Sequence, residues 1–274
     1  MKKSFTPATI DEPSGETCSC GSPGDPSNAR ACGRRTEMST VQKGDVGCMT
    51  SATLINKDFI KLNLTADDPW CDSHGARDGG EELGAGMLYY GLAYSLKSKV
   101  CVCLGSGGGF VPRLMRQAQR DLNLEESRTI LVDGATNVNA ARKEIWGSPS
   151  WLPQDSTFRR KYPDVEIVLK LTKDAIPGFF VPNAIEIDFL HIDADHHYSG
   201  VKLDWDLFSP LVSADGVITL HDTVNYREPC GVPRLLEEIQ QEGRYDVVNF
   251  PIRYGTAILR KSRNCPDENT SSSR

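Results

Sequence analysis

The residues that could do chemistry are concentrated in residues 191–223, which hold four of the five histidines of the chain. Asp193 and Asp222 each stand just after an apolar run, IDFLHI and GVITLH, that is typical of a buried strand. If the two strands are parallel neighbours, the carboxylates meet at the carboxyl edge of the sheet, where open α/β sheets bind their ligands. Two carboxylates at that distance repel unless a cation or a proton lies between them.

Either a divalent cation or an imidazole base would suit this arrangement. Carboxylate oxygens suit magnesium or calcium, whereas the histidine in His221-Asp222 suits zinc, iron, nickel or manganese-like ions. Without a cation, His196 or His221 is the candidate general base, because imidazole titrates near neutral pH. His191 lies inside its apolar run and is expected to be a core residue. Two further acids, Asp204 and Asp206, fall on the next helix and are expected to face solvent.

A second candidate site is the glycine-rich segment 105–109, GSGGG, which follows the strand-like KVCVCLG and precedes a helical stretch. Glycines allow a tight turn and close approach of the backbone, and the helix N-terminus offers free N–H groups to a ligand. A glycine loop between a strand and a helix is the context of a nucleotide-type site. Asp133 ends the next strand, where an acid can accept hydrogen bonds from ribose hydroxyls. The alternative is that Asp133-Gly134 is only a turn.

The elements that must position these residues alternate between apolar runs and helical stretches, as in a parallel sheet with crossover helices. The runs YDVVNFPI and GTAILRK near the end have no helix between them and predict an antiparallel pair. Cys101 and Cys103 alternate within the first strand and are expected to pack on one face. The first five predicted strands are 99–105, 129–135, 165–172, 187–195 and 215–223.

Composition and charge exclude several classes of protein. The chain has 274 residues and a formal net charge of -6, without a cluster of basic residues, so we expect no nucleic-acid partner. No apolar run is long enough to span a bilayer, and the start of the chain lacks the apolar core of a secretory signal. We therefore expect no membrane association and a cytoplasmic location.

These motifs and this order of elements resemble the class I S-adenosylmethionine (SAM) dependent methyltransferases over about residues 75–262. The compressed spacing G-x-G-x-G at 105–109, rather than G-x-G-x-x-G, favours SAM over a nicotinamide cofactor. The stretch 191–223 resembles the macrocin O-methyltransferase and cephalosporin-hydroxylase-like branch of that family. The resemblance implies an α/β fold with a Rossmann-like seven-stranded methyltransferase sheet. That sheet is expected to be mostly parallel, with a C-terminal antiparallel strand and helices on both faces.

The resemblance also implies roles for individual residues. In relatives, acids at the ends of the fourth and fifth strands hold a divalent cation, usually magnesium, which makes Asp193, His221 and Asp222 the candidate metal ligands. Asp193, His196 and His221 are the candidate catalytic residues. Two departures from the family pattern stand out, since Cys103-Leu104 and His221 occupy positions where relatives often have acids. The expected SAM-binding residues are Gly105, Ser106, Gly107, Gly109, Asp133, Gly134, Thr172, Asp174, Asp193 and His196.

The implied activity is transfer of a methyl group from SAM to a hydroxyl of a small molecule of the sugar or natural-product type. A cation, where present, would align that hydroxyl and lower its pKa. Two alternatives stay open: another enzyme on the same scaffold, N-methylating or hydroxylase-like, and a non-catalytic SAM-binding protein. A homo-oligomer is compatible with the sequence. Segments 67–86 and 136–164 are the candidates for selecting the acceptor.

The expected domain organisation has four parts. Residues 1–50, rich in Cys, Pro, Gly and Ser, and residues 264–274 are expected to be disordered tails because they contain few large apolar residues. Residues 51–98 are expected to form a helical flap region, and residues 99–263 the SAM-binding domain. The first tail contains Cys18, Cys20, Cys32 and Cys48, for which reduced thiols or a zinc site are the two alternatives.

Overall fold

The computed structural model describes residues 56–134, 149–227 and 229–263. The predictions for the two tails and for the first four cysteines lie outside these residues, as does most of the first half of segment 136–164. Within the described part of the chain, no helix has the length and apolar character needed to cross a membrane.

The described residues form a seven-stranded sheet in the order β3-β2-β1-β4-β5-β7-β6. Strand β7 runs antiparallel to both β5 and β6, and the other neighbouring pairs are parallel. This confirms the predicted Rossmann-like methyltransferase sheet and its C-terminal antiparallel strand. The strands are β1 (Val100–Leu104), β2 (Arg128–Val132), β3 (Glu166–Val168), β4 (Ile187–Ile192), β5 (Val212–His221), β6 (Tyr245–Phe250) and β7 (Thr256–Lys261).

The helices connect the strands and cover the sheet. Before β1, the chain forms a helical turn α1 (Lys57–Phe59) that continues as a π-helical turn (Ile60–Leu64), then a 3-10 helix (Pro69–His74) and α2 (Gly86–Ser95). The later helices are α3 (Phe110–Asp121), α4 (Thr157–Lys161), α5 (Thr172–Ala175) with a π-helical turn (Ile176–Phe180), α6 (Tyr198–Phe208) with a 3-10 turn (Ser209–Leu211), and α7 (Val232–Glu242).

Alternation along each strand divides the core between the two faces of the sheet. On β1, Cys101 and Cys103 are buried with residues of α2 and α3, as predicted, whereas Val102 and Leu104 pack with residues of α6 and α7. Phe189 of β4 and Val217 of β5 belong to the first of these clusters. Because every second residue of a strand points to the same face, His191 of β4 and both Thr219 and His221 of β5 point to the face that α2 covers.

Two kinds of sequence-based expectation are wrong, the ends of three strands and the exposure of Asp204. The second and fourth strands end at Val132 and Ile192 rather than at residues 135 and 195. The third strand ends at Val168 rather than at residue 172, because the Lys170 N–H donates to the Val168 carbonyl and turns the chain. Asp204 is 2% exposed instead of facing solvent, because helical spacing places it on the buried stripe of α6 with Val201 and Phe208. Asp206, on the other side of that helix, is exposed as expected.

Candidate functional site

The carboxylate of Asp193, directly after β4, is surrounded by four imidazole rings. His221 Nδ1 and His196 Nε2 lie 3.1 and 3.2 Å from Asp193 Oδ1. His74 Nε2 and His191 Nε2 lie 3.5 and 3.8 Å from Asp193 Oδ2. Four of the five histidines of the chain thus face one carboxylate, and we call this group the histidine cluster.

Each ring is held by a different element. His191 lies opposite Thr219 in the β4–β5 pairing, and its Nδ1 is 2.8 Å from the Thr219 hydroxyl oxygen. His74 ends the 3-10 helix, and its Nδ1 is 3.0 Å from the hydroxyl of Tyr89 on α2. That hydroxyl is 2.9 Å from the Thr256 hydroxyl at the start of β7. The sequence analysis did not identify His74, Tyr89 and Thr256. Alternation along β5 does place Thr219 on the same face as His221.

His196 joins the two carboxylates that were predicted to meet. Its Nε2 faces Asp193, and its Nδ1 lies 3.1 Å from Asp222 Oδ2. Burial lowers the pKa of His196, but the hydrogen bond and charge of Asp193 and the charge of Asp222 outweigh burial and raise it to about 9. A protonated imidazole therefore occupies the place where a cation was expected.

The pKa values of the buried members of the cluster are shifted in different directions. Burial raises the pKa of Asp193, but the charge of His221 and the hydrogen bonds of the neighbouring imidazoles hold it well below its ordinary value. The pKa of His221 is raised, because the charge of Asp193 and its hydrogen bond outweigh burial. His74 is the opposite case, since burial and the nearby charge of His221 hold its pKa well below the usual value.

Asp222 has an unusual backbone conformation for a residue with a side chain. Its φ is +62°, in the left-handed region, and its side chain is only 3% exposed. Such a conformation costs on the order of 1–3 kcal/mol and is concentrated at functional sites. The Asn225 side-chain amide donates to Asp222 Oδ1 over 3.2 Å.

The possible cation ligands fall into two groups that share Asp193. One group is His74, Asp193 and His221, and the other is Asp193, His196 and Asp222, with the ligand atoms in each within 4.8 Å of one another. The predicted ligands are thus divided between the two groups. Magnesium prefers six oxygen ligands at near-octahedral positions. Neither group fits that preference, because the first offers two nitrogens and the second has an imidazole ring between its carboxylates.

The glycine loop turns between β1 and α3, with a φ of +73° at Gly105 and +87° at Gly109. The Ser106 N–H donates to Asp133 Oδ2 over 3.2 Å, and the Ser106 hydroxyl accepts from the Gly109 N–H over 3.0 Å. A Cβ on Gly105 would overlap the backbone of Asp193 and Ala194. The loop, the predicted ribose acid and the histidine cluster are therefore adjacent.

Two segments cover this loop. A Cβ on Gly107 would overlap the Trp70 ring, and a Cβ on Gly108 would overlap the Asp68 carboxylate. From the other segment, Trp151 Nε1 donates to the Ser106 carbonyl, and the Ser150 N–H donates to the Gly107 carbonyl over 2.9 Å. The described parts of both segments proposed to select the acceptor thus contact the loop.

A buried arginine of α3 holds the chain directly before the first of these segments. The Arg113 guanidinium donates to the carbonyls of Leu64, Ala66 and Gly108 at 3.2, 2.7 and 3.0 Å. Asp68 Oδ1 accepts from two backbone N–H groups of the 3-10 helix at 3.0 and 3.1 Å. Burial raises the pKa of Asp68 to about 6, although the charge of Arg113 lowers it.

The remaining predicted cofactor residues lie apart from these contacts. Gly134 follows Asp133 and is half-buried. Thr172 begins α5, where its hydroxyl lowers the pKa of Asp204, and Asp174 of the same helix is exposed. Within the described residues, no hydrogen bond joins Thr172 or Asp174 to the glycine loop or to Asp193.

Comparison with known proteins gives one match by sequence and several by structure. Residues 102–223 match a family model described as a methyltransferase domain. No curated protein matches the chain. Similar solved structures include an SAH-bound methyltransferase of Podospora anserina, with 16% identity and a TM-score of 0.47, covering 66% of this chain and 79% of that one.

Another is a Streptomyces achromogenes O-methyltransferase of tomaymycin synthesis in complex with SAM, with 15% identity and a TM-score of 0.49, covering 66% of this chain and 81% of that one. An O-methyltransferase of Bacillus cereus in complex with SAH has 17% identity and a TM-score of 0.47, and the match covers 65% of this chain and 80% of that one. At these values the structural similarities carry no argument about activity. The family match over residues 102–223 and the strand order confirm the resemblance to class I SAM-dependent methyltransferases, while the macrocin-like branch stays a prediction.

Proposed function

We propose that this chain transfers a methyl group from SAM to a hydroxyl of a small-molecule acceptor of the sugar or natural-product type. The observation that carries the proposal is the contact of Gly105 with the backbone of Asp193 and Ala194. This contact puts a cofactor-type loop next to a cluster of titratable side chains at the carboxyl edge of the sheet. Ligands of open α/β sheets bind at that edge.

The glycine loop and Asp133 are the groups that would hold SAM. Asp133 stands where ribose hydroxyls are bound in related sheets, and its hydrogen bond from the Ser106 N–H fixes the carboxylate beside the loop. SAM, when bound, supplies a methyl group on a positively charged sulfur. The chain then has to hold the acceptor oxygen in line with that methyl group, and such positioning accounts for much of the rate enhancement.

The proton released by the acceptor has to pass to the protein or to water. His196, with its side chain 26% exposed, is more accessible than His221 at 2%. His196 is hydrogen-bonded to Asp193 and Asp222, and the three together carry one net negative charge when the imidazole is protonated. Imidazole accepts a proton only in its neutral form, and a raised pKa makes that neutral form a stronger base, so we assign the role of proton acceptor to His196 after it has released its own proton to water. A cation at Asp193 would also align the acceptor hydroxyl and lower its pKa.

Calorimetric titration with SAM and with SAH tests the first half of the proposal. We expect micromolar binding to the wild type and at least about a tenfold loss in Asp133→Asn, since one hydrogen bond to a charged group is worth about 1.5–3 kcal/mol. The asparagine still accepts the Ser106 N–H, so the loop is preserved. Asp215→Asn is the control, because Asp215 is 88% exposed and pairs with Arg260 at the surface. If the wild type binds neither compound, the proposal is overturned.

Methyl transfer from trideuteromethyl-SAM to a panel of hydroxylated sugars and natural products tests the second half. Mass spectrometry of the product locates the label on oxygen or on nitrogen. Label on nitrogen would favour an N-methyltransferase instead. SAM binding without label in any acceptor, in the wild type and in His221→Glu, would favour a non-catalytic binding protein.

A further inference from the structure

We propose that this chain binds a divalent transition-metal ion through His74, Asp193 and His221, in place of the magnesium that the family resemblance implies. The inference extends the proposed function, because this ion would lie beside the acceptor site. Binding of the ion, however, can be measured without SAM. The two proposals can therefore fail separately.

The three side chains already converge without a large rearrangement. His221 Nδ1 and His74 Nε2 approach different oxygens of Asp193, at 3.1 and 3.5 Å. The two imidazole rings lie side by side, with centroids 4.0 Å apart and planes tilted by 36°. Ligand atoms of a metal ion bonded at about 2.0–2.2 Å are separated by similar distances.

In both rings the nitrogen that faces away from Asp193 is hydrogen-bonded, as in metal-bound histidines. For His74 the partner is the Tyr89 hydroxyl, and for His221 it is a backbone carbonyl. His221 Nε2 is 3.2 Å from the Ser73 carbonyl oxygen, which can only accept, so Nε2 carries the hydrogen. Nδ1 lies within hydrogen-bond distance of Asp193 Oδ1, and a metal ion between the two would take the place of the proton there. A hydrogen bond donated by the far nitrogen to a backbone carbonyl is the usual support for a metal-bound histidine.

A fourth imidazole supports the same centre independently. His191 is fully buried, its Nδ1 is paired with Thr219, and its Nε2 has no hydrogen-bond partner among the described residues. That nitrogen lies 3.8 Å from Asp193 Oδ2. A buried polar atom without a partner is costly, and a metal ion or its bound water at this centre would satisfy it.

The donor set decides the class of ion. Two imidazole nitrogens and one carboxylate suit zinc, iron(II), cobalt(II) or nickel(II), whereas magnesium requires oxygen ligands. His74 and His221 are 5% and 2% exposed, so the ion would be largely shielded from bulk water. The site differs from the group of Asp193, His196 and Asp222, in which the imidazole bridges the carboxylates.

Cobalt(II) titration of the chelator-treated full-length protein tests the inference. We expect one equivalent of Co²⁺ with visible d–d absorption, which excess Mg²⁺ does not displace. His74→Gln and His221→Gln should each weaken Co²⁺ binding by about 100-fold or more, since loss of a supporting hydrogen bond alone costs about 10–100-fold. His197→Gln should bind as the wild type does, because His197 pairs with Asp195 outside the cluster. Circular dichroism establishes that each variant is folded.

Cysteines compete for the same ion, so the titration is repeated in the variant with Cys18, Cys20, Cys32 and Cys48 all changed to serine. X-ray absorption of the cobalt-loaded wild type is a second measurement that needs no variant. We expect imidazole nitrogen and carboxylate oxygen around cobalt, without sulfur. Absence of Co²⁺ binding, binding lost only with the four cysteines, sulfur at the metal, or full affinity in both His74→Gln and His221→Gln would overturn the inference.

Discussion

The indole ring of Trp70 lies directly on the backbone of Gly107, in the space that a Cβ at position 107 would occupy. The contact joins the 3-10 helix before the sheet to the loop after β1. Trp70 is 37% exposed, so the loop and its other neighbours cover only part of the side chain. The packing of Trp70 therefore requires glycine at position 107, independently of any ligand that the loop binds.

Gly107→Ala should lower the free energy of unfolding by about 1–3 kcal/mol, because the added methyl group overlaps an aromatic ring. In the double variant with Trp70→Ala, most of that loss should be absent, since the overlap is removed. Urea denaturation of the four proteins measures the coupling. Gly91→Ala on α2 is the control, because its Cβ would meet nothing within 4 Å. Equal stability of Gly107→Ala and the wild type would contradict the described contact.

Arg113→Met should destabilise the protein by about 3–5 kcal/mol, because it removes the charge beside buried Asp68 and the donor to four backbone carbonyls. Arg260→Met is the control, since Arg260 pairs with an Asp215 that is 88% exposed, and such pairs contribute about 0–1 kcal/mol. Chemical denaturation at neutral pH compares the two. A smaller loss in Arg113→Met than in the control would show that the buried arginine does not hold the chain directly before segment 67–86.

Asp204→Asn should change how stability depends on pH. Burial raises the pKa of Asp204 from 3.8 to about 7, so between these values the folded state keeps a proton that the unfolded state releases. The free energy of unfolding of the wild type therefore falls as pH rises from about 4 to about 7. The side chain of the variant does not titrate. Its free energy of unfolding, relative to that of the wild type, should therefore rise by up to a few kcal/mol between pH 4 and pH 8. A difference that is the same at both pH values would refute the buried, protonated carboxyl.

Tyr89→Phe should weaken cobalt binding by about 10–100-fold while leaving the three proposed ligands in place, because the Tyr89 hydroxyl orients His74. The change also leaves the Thr256 hydroxyl without its partner, so a loss of about 1–3 kcal/mol in stability is expected. Tyr94→Phe, at an exposed position of the same helix, is the matched control. Unchanged cobalt affinity in Tyr89→Phe would show that His74 is held by other contacts.

The sheet could be predicted because its signal is local. Each strand is a short apolar run, and the alternation of runs and helical stretches leaves few strand orders. The convergence of Asp193 and His221 follows from the same logic, since both residues end parallel neighbouring strands that pair His191 with Thr219. The meeting of the ends of these two strands could thus be predicted from the order of the elements, whereas the roles of Asp193 and His221 stay predictions.

His74 could not be predicted in this way. It belongs to a short 3-10 helix without a repeating pattern, and its position depends on Tyr89 and on β7 near the other end of the chain. Trp70 is a similar case, because only the folded chain brings it onto Gly107. Asp204 shows the converse error, since an acidic residue on a helix was assumed to face water although its spacing matched the apolar stripe.

The contact between Gly105 and the backbone of Asp193 has a thermodynamic consequence. An ion bound by the Asp193 carboxylate and a ligand on the glycine loop would be linked through this one backbone contact. Coupling of this kind is reciprocal, so the factor by which SAM changes the affinity for cobalt must equal the factor by which cobalt changes the affinity for SAM. A factor different from one would therefore show that the two sites are coupled.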